Sequence, residues 1–234
     1  MKTRGLVLDS KRFRGGAVSP PLSLPDVSRF KNNGTFAHGA GGATDPTWTR
    51  LPSGLWVVSL DGLEEHYVDC GSDASLIPAP AYTLEVWVKG LSFPAGGVRG
   101  TIFTKGGNYQ PYALFAQETT FDVFIRTRFI LPIFNEVDLY SITYLDDPNR
   151  FYYVVATFDG DEIKLFIDAV EERSDAGHAA ETLWNDPTFN VYIGPPVNNW
   201  FLTSLIAFPR IYNYALDPTT ISKHYEAERR FLGG

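Results

Sequence analysis

The stretch Tyr82-Thr83-Leu84-Glu85-Val86-Trp87-Val88-Lys89 sends Leu84, Val86 and Val88 to one side of an extended chain and Thr83, Glu85, Trp87 and Lys89 to the other. A period of two predicts a strand with one face in a core. Working outward, similar short segments rich in valine, isoleucine, threonine and aromatics recur between glycine, proline and asparagine clusters. They predict further strands at about 55–60, 67–70, 101–105, 112–117, 121–126, 138–144, 151–158, 162–167, 190–194 and 202–212. Between two of them, Phe158-Asp159-Gly160-Asp161-Glu162 offers an Asp-Gly pair that tolerates positive φ, so residues 151–167 read as a hairpin. Many strands, short turns and no βαβ alternation predict an all-β chain, a sandwich or jelly roll of two antiparallel sheets.

One short C-terminal helix is expected. Asp217 suits the N-cap and Pro218 the first helical position, where no donor is needed. Ile221 and Tyr225 lie four apart on its apolar side, with Lys223, Glu226, Glu228, Arg229 and Arg230 on the wet side. This helix is expected to close the sandwich. Residues 10–54 contain five prolines and little periodicity, which predicts an irregular arm packed on the sheets. The 234 residues, 44% hydrophobic, suffice for one core, so residues 1–234 are expected to form a single domain.

Charge and cysteine content narrow the function. Twenty basic against 27 acidic side chains give a net charge of −7, which disfavours a nucleic-acid partner needing a basic stripe. The one cysteine, Cys70, has no second thiol to pair with and reads as a small buried apolar residue. No run reaches the 18 or so apolar residues of a bilayer span, and the start Met1-Lys2-Thr3-Arg4 is not followed by the apolar segment of a signal peptide. Neither membrane insertion nor a secretory leader is expected.

Several segments, in order along nearly the whole chain, resemble the laminin-G-like branch of the concanavalin A-like lectin and glucanase sandwiches. They are Gly5-Leu6-Val7-Leu8, Asp26-Val27-Ser28 with Asn32-Asn33-Gly34-Thr35, Leu60-Asp61-Gly62 with Tyr67-Val68, and the stretch from Tyr82 to Lys89. Ile102 to Gly106, Tyr153 to Gly160, Ile163 to Asp168, Ile193-Gly194 and Arg210-Ile211-Tyr212-Asn213-Tyr214-Ala215-Leu216 complete the set. The resemblance implies a concanavalin A-like jelly roll, a fold that hosts lectins, enzymes, adhesins and virion proteins. It also implies a structural calcium held partly by an aspartate three residues before the arginine of the last long strand. That position is Ala207, and the loss of one carboxylate weakens such a site, so no cofactor or metal is expected.

Catalysis finds little support. Glucanases of this fold set their carboxylates on one strand face in a Glu-x-Asp-x-Glu or Glu-x-Asp-x-x-Glu run, which the chain lacks; Glu64-Glu65 and Glu171-Glu172 are adjacent and diverge if extended. Glu85, beside Trp87, is the one carboxylate worth testing as an acid, in the less favoured glucanase reading. His38, His66, His178 and His224 show no metal-ligand spacing, and Gly39 to Gly42 and Gly106-Gly107 lack the lysine and helix of a phosphate cradle. The chain reads as a non-enzyme.

Recognition is better supported. Sugars bind aromatic faces together with amides and carboxylates, and Trp184-Asn185-Asp186, Asn198-Asn199-Trp200 and Tyr109 supply both in turns. The apolar run Phe129-Ile130-Leu131-Pro132-Ile133-Phe134 reads either as an extra strand in the core or as a patch for another subunit. The favoured expectation is a virion-surface subunit, a capsid decoration or head-fibre component assembled in the cytoplasm, with other capsid subunits or its own copies as partners. The alternative is a soluble lectin that binds cell-surface glycans.

Overall fold

The computed structural model describes residues 6–9, 22–38, 45–62, 66–77, 80–92, 99–106, 111–184, 186–196 and 200–233. Two antiparallel sheets pack face to face. Sheet I runs in the order β14 (Val170–Asp175), β13 (Ile163–Ile167), β12 (Phe151–Phe158), β7 (Tyr82–Ser92), β17 (Thr203–Tyr212), β5 (Trp56–Leu60) and β4 (Thr47–Arg50), with β1 (Leu6–Asp9) also paired to β17. Sheet II runs β11 (Asn135–Tyr140), β10 (Val123–Leu131), β9 (Tyr112–Gln117), β8 (Arg99–Lys105), β16 (Val191–Ile193), β6 (His66–Asp69), β3 (Gly34–His38) and β2 (Ser23–Leu24), with β15 (Thr182–Leu183) also paired to β10. The expected hairpin is β12–β13, in register from Phe158↔Ile163 to Val154↔Ile167.

The core between the sheets follows from alternation. Leu84, Val86 and Val88 of β7 meet Leu114, Ala116, Val123 and Ile125 of sheet II, all buried. The opposite face of β7 is buried as well: Thr83, Glu85 and Trp87 are at most 2% exposed. The cover is α1 (Pro218–Glu228), which begins as expected, with the Asp217 carboxylate accepting the Thr220 amide at 2.9 Å and Pro218 in the first turn. The helix lies on the outer face of sheet I, with Ile221 buried and Tyr225 stacked on Trp87 at 5.4 Å. Glu228, expected on the wet side, is 1% exposed, because it falls seven residues after Ile221 and therefore on the same helical face.

The N-terminal region departs from the expected irregular arm: β2, β3 and β4 are strands that extend both sheets. Its organiser is Asp26, buried, whose carboxylate accepts the amides of Asp9, Ser28 and Asn32 and the Ser28 hydroxyl at 2.6–2.9 Å. Cys70 is buried and free, and burial raises its thiol pKa. No helix among the described residues is long and apolar enough to cross a membrane.

Candidate functional site

The outer face of sheet II carries no helix among the described residues. In β9 and β10 the residues Tyr112, Leu114, Val123 and Ile125 turn inward, so Ala113, Phe115, Phe124, Arg126 and Arg128 turn outward. Register carries the outward row across the sheet: Thr101 opposes Phe115, Phe115 opposes Phe124, and Phe124 opposes Tyr140. The rings of Phe115 and Phe124 lie 5.0 Å apart, Tyr140 stacks on Phe124 at 4.7 Å, and Trp200 meets Phe115 edge-on at 5.3 Å. Phe115 and Phe124 are buried beneath this layer, while Tyr140 is exposed and Trp200 half-buried.

Three arginines interleave with the rings. Arg126 grips Asp138 in a two-pronged pair, Nε to Oδ1 at 2.7 Å and Nη2 to Oδ2 at 2.6 Å, with Glu136 at 3.1 Å. The hydrogen bond to Asp138 and the carboxylate charges outweigh burial and raise the Arg126 pKa. Arg128 pairs with Glu136. Arg99 is placed differently: its guanidinium carbon sits 5.0 Å from the Trp200 ring centre, 5.6 Å from Phe124 and 5.9 Å from Phe115.

The same face continues across β8, where Thr104 opposes both Ala113 and Tyr192, into β16 and β6. There Tyr192 and Tyr67 stand edge to face at 5.4 Å and line a pocket of about 240 Å³ with Thr188, Phe189, Asn190 and Gly106. The Asn190 amide donates to both Asp69 oxygens at 3.0 Å, which sets its orientation. Gly106 has φ +84°, and a Cβ there would meet the Phe189 ring at 2.8 Å, so this turn glycine lets the pocket wall close. Behind that wall Lys105 is fully buried and donates from Nζ to the Phe189 carbonyl at 2.7 Å. Burial lowers its pKa to about 8, against the opposing pull of the Asp186 charge.

The sequence-selected residues scatter. Trp200 joins the aromatic row. Asp186 accepts the amide and hydroxyl of Thr188, a residue that lines the pocket, at 2.8 and 2.6 Å. Trp184 goes elsewhere: its ring meets Phe134 edge-on at 6.0 Å, and its amide donates to the Arg128 carbonyl at 2.9 Å. Tyr109, Asn185, Asn198 and Asn199 lie outside the described residues. The apolar run divides too. Phe129 shares the inward parity of Ile125 and is fully buried, against Phe158 at 5.6 Å and stacked on His178 at 5.0 Å, so it is core and not a contact surface. The end of β10 and the β10–β11 turn expose Ile130 (45%), Leu131 (56%), Ile133 (72%) and Phe134 (57%).

Glu85 is sealed. Under α1 it accepts from the Tyr153 hydroxyl and Arg210 Nη1, each at 2.7 Å, and lies 3.2 Å from His224 Nδ1. Burial pushes its pKa up, but the Arg210 charge and the His224 and Tyr153 contacts outweigh it and hold the carboxyl well below the usual range. An ionised, unexposed carboxylate is not placed to protonate a glycosidic oxygen, which corrects the reading of Glu85 as a candidate acid. Ala207 is buried in the apolar cluster around Trp87, and among the described residues no group of three or more histidine, cysteine, aspartate or glutamate side chains is arranged to hold a metal.

Sequence reasoning missed Arg99, Arg126, Tyr140, Tyr67 and Tyr192. The available signal was Phe124-Ile-Arg126-Thr-Arg128, whose alternate residues put one aromatic and two cations on one face.

Two antiparallel sheets, a core of alternating residues and a helix on one outer face define the jelly-roll sandwich class. Residues 62–222 match the family model described as the concanavalin A-like lectin/glucanases superfamily, and the chain belongs to that family. Similar solved structures include the binding domain of Paraclostridial Mosquitocidal Protein 1, with TM-score 0.72, 10% identity and coverage of 96% of this chain and 52% of that one. The binding domain of botulinum neurotoxin DC has TM-score 0.68, 9% identity and coverage of 96% and 52%. A botulinum neurotoxin type C structure has TM-score 0.67, 9% identity and coverage of 96% and 51%. This chain therefore spans about half the length of these structures. No curated protein matches its sequence.

Proposed function

We propose that this chain is a non-catalytic recognition module that binds a cell-surface glycan on the outer face of sheet II. The observation that carries the reading is the pocket between Tyr67 and Tyr192, on the same face as Trp200 and Tyr140. A sugar ring presents an apolar face of C–H groups and an edge of hydroxyls. Tyrosine rings suit the first, and the side-chain oxygens of Asn190 and Thr188, whose N–H and O–H groups are held by Asp69 and Asp186, suit the second as acceptors. Two of the similar toxin structures support binding in general. One contains rat synaptotagmin II, and the other is described with cell entry dependent on two ganglioside molecules. A shared fold alone does not transfer a ligand, so the reading rests on the face itself.

Glycan-array screening followed by calorimetry tests it. Wild type binds a defined set of glycans, and Tyr192→Ala or Tyr67→Ala lowers affinity at least about tenfold, the loss of one aromatic contact with its polar neighbour. Unchanged binding in both variants would overturn the assignment of the site.

A second reading is favoured by the exposed tip Ile130, Leu131, Ile133 and Phe134 beside Trp184. Such a tip suits a subunit contact on a virion or other particle surface assembled in the cytoplasm, with its own copies or capsid subunits as partners. Light scattering and electron microscopy of particles test this. An assembly lost on Ile133→Ser with Phe134→Ser supports it, and a free monomer that never decorates particles overturns it.

A further inference from the structure

We infer that the glycan carries an acidic group and that Arg99 receives it. The inference rests on the glycan reading and names the ligand class.

Of the three arginines that share the aromatic end of this face, two are committed. Arg126 is held by Asp138 and Glu136, and Arg128 by Glu136. Arg99 makes no ion pair with any described carboxylate. Its guanidinium instead sits among the Trp200, Phe124 and Phe115 rings, within 5.0–5.9 Å of their centres, where a ring gives a cation–π contact and no counter-charge. The nearby acid Asp122 is engaged by the Thr120 hydroxyl at 2.6 Å. Gln117 opposes Arg99 in register and so adds an amide on the same face.

A cation already held among three rings loses less side-chain freedom when a planar anion docks, and the guanidinium fork favours two parallel N–H···O bonds. Arg99 stands on β8 itself, so the Tyr67–Tyr192 pocket on β16 and β6 lies one to two strand spacings to the side, about 5–10 Å, and is offset by three to five residues along the strands, about 10–17 Å. One short oligosaccharide therefore spans both ends, a neutral ring in the pocket and a carboxylate or sulfate at Arg99.

The test uses three probes on one scaffold: lactose, sialyllactose and 3′-sulfolactose, measured by calorimetry at two salt concentrations. Wild type is expected to bind at least one acidic probe about 10- to 100-fold more tightly than lactose, the range for one charge-assisted contact, and the preference shrinks with salt. The two acidic arms distinguish a carboxylate from a sulfate ligand. Arg99→Gln brings the acidic-to-neutral ratio close to one, Arg99→Lys restores only part of it, and Tyr192→Ala weakens all probes while keeping the ratio. Thermal melts confirm that each variant is folded. If wild type binds the three probes equally, or if Arg99→Gln keeps the ratio, the acidic subsite is overturned while the glycan reading stands. If it binds none of the three and no other glycan, both fall.

Discussion

The two outer faces of the sandwich are built from the same parts and used in opposite ways. On sheet I, Arg210 lies among Glu85, Glu228 and Asp9, with Trp87 and Tyr153 alongside. On sheet II, Arg126 lies between Asp138 and Glu136, with Phe115 and Phe124 alongside. The difference is the cover. Helix α1 seals the first set: Trp87 Nε1 donates to Glu228 at 2.8 Å, and Tyr225 stacks over the indole. Water removed from three charged groups makes their mutual pairing obligatory, so that network is a structural bolt between helix and sheet. On sheet II the side chains of Arg126 and Asp138 keep 13% and 21% exposure, and solvent still reaches them. An arginine and a carboxylate on a strand thus become a sealed clamp or a solvent-reached pair according to what lies on top.

The comparison breaks most visibly at Arg210. Replacing it with methionine strands buried carboxylates, and urea denaturation is expected to show a loss of about 3–5 kcal/mol. A loss below about 1 kcal/mol would mean that α1 does not seal the face. The same network sets the acid limb of stability. Folding lowers the Glu85 pKa from its ordinary value of 4.5, so the unfolded chain holds more protons as the pH falls below that value. Stability contributed by this group is complete above about pH 4.5 and is lost progressively below it. Denaturation midpoints measured from pH 6 to pH 3 should therefore fall, and the fall should flatten in a folded Glu85→Gln variant.

Trp200→Ala sharpens the contrast from the other side. It uncovers Phe115 at a half-buried position, which costs about 2 kcal/mol, below the range for a fully buried ring. Its larger consequence is expected in glycan binding measured on the folded variant. Arg126→Met with Asp138→Asn, read as a double-mutant cycle, should yield a coupling of about 1 kcal/mol, the scale of a solvent-accessible pair. A coupling as large as that of the sealed network would make sheet II's outer face structural as well. The smallest effect is expected at the β10–β11 tip, where Ile133→Ser should shift monomer stability by less than about 0.5 kcal/mol. Loss of an assembled state in that variant would show that the tip is an interface.

Legibility in the sequence follows the range of the interactions. The strands from Tyr82, Tyr112 and Phe151 and the Asp217 cap were readable, because alternation and capping are local. The fold class and family resemblance were readable for the same reason, since each rests on short runs in order. Of the sequence-selected residues, Trp200 stands in the aromatic row of the candidate face and Asp186 holds Thr188, which lines the pocket. Nothing near Tyr67 announces Tyr192, 125 positions away, and the two meet only because β16 pairs with β6. Trp184 and Asp186 are two apart and still part company, one toward Phe134 and the other toward Thr188.

By itself, then, the sequence determined that this chain is a two-layer β-sandwich with a capped terminal helix, since side-chain parity and turn chemistry act within a few residues. Only the tertiary structure decided that Glu85 is a buried strut, that Glu228 faces inward, that Phe129 is core while Phe134 is not, and which outer face carries the helix. Those outcomes depend on which element lies over which face, and strand pairing across more than a hundred residues sets that placement.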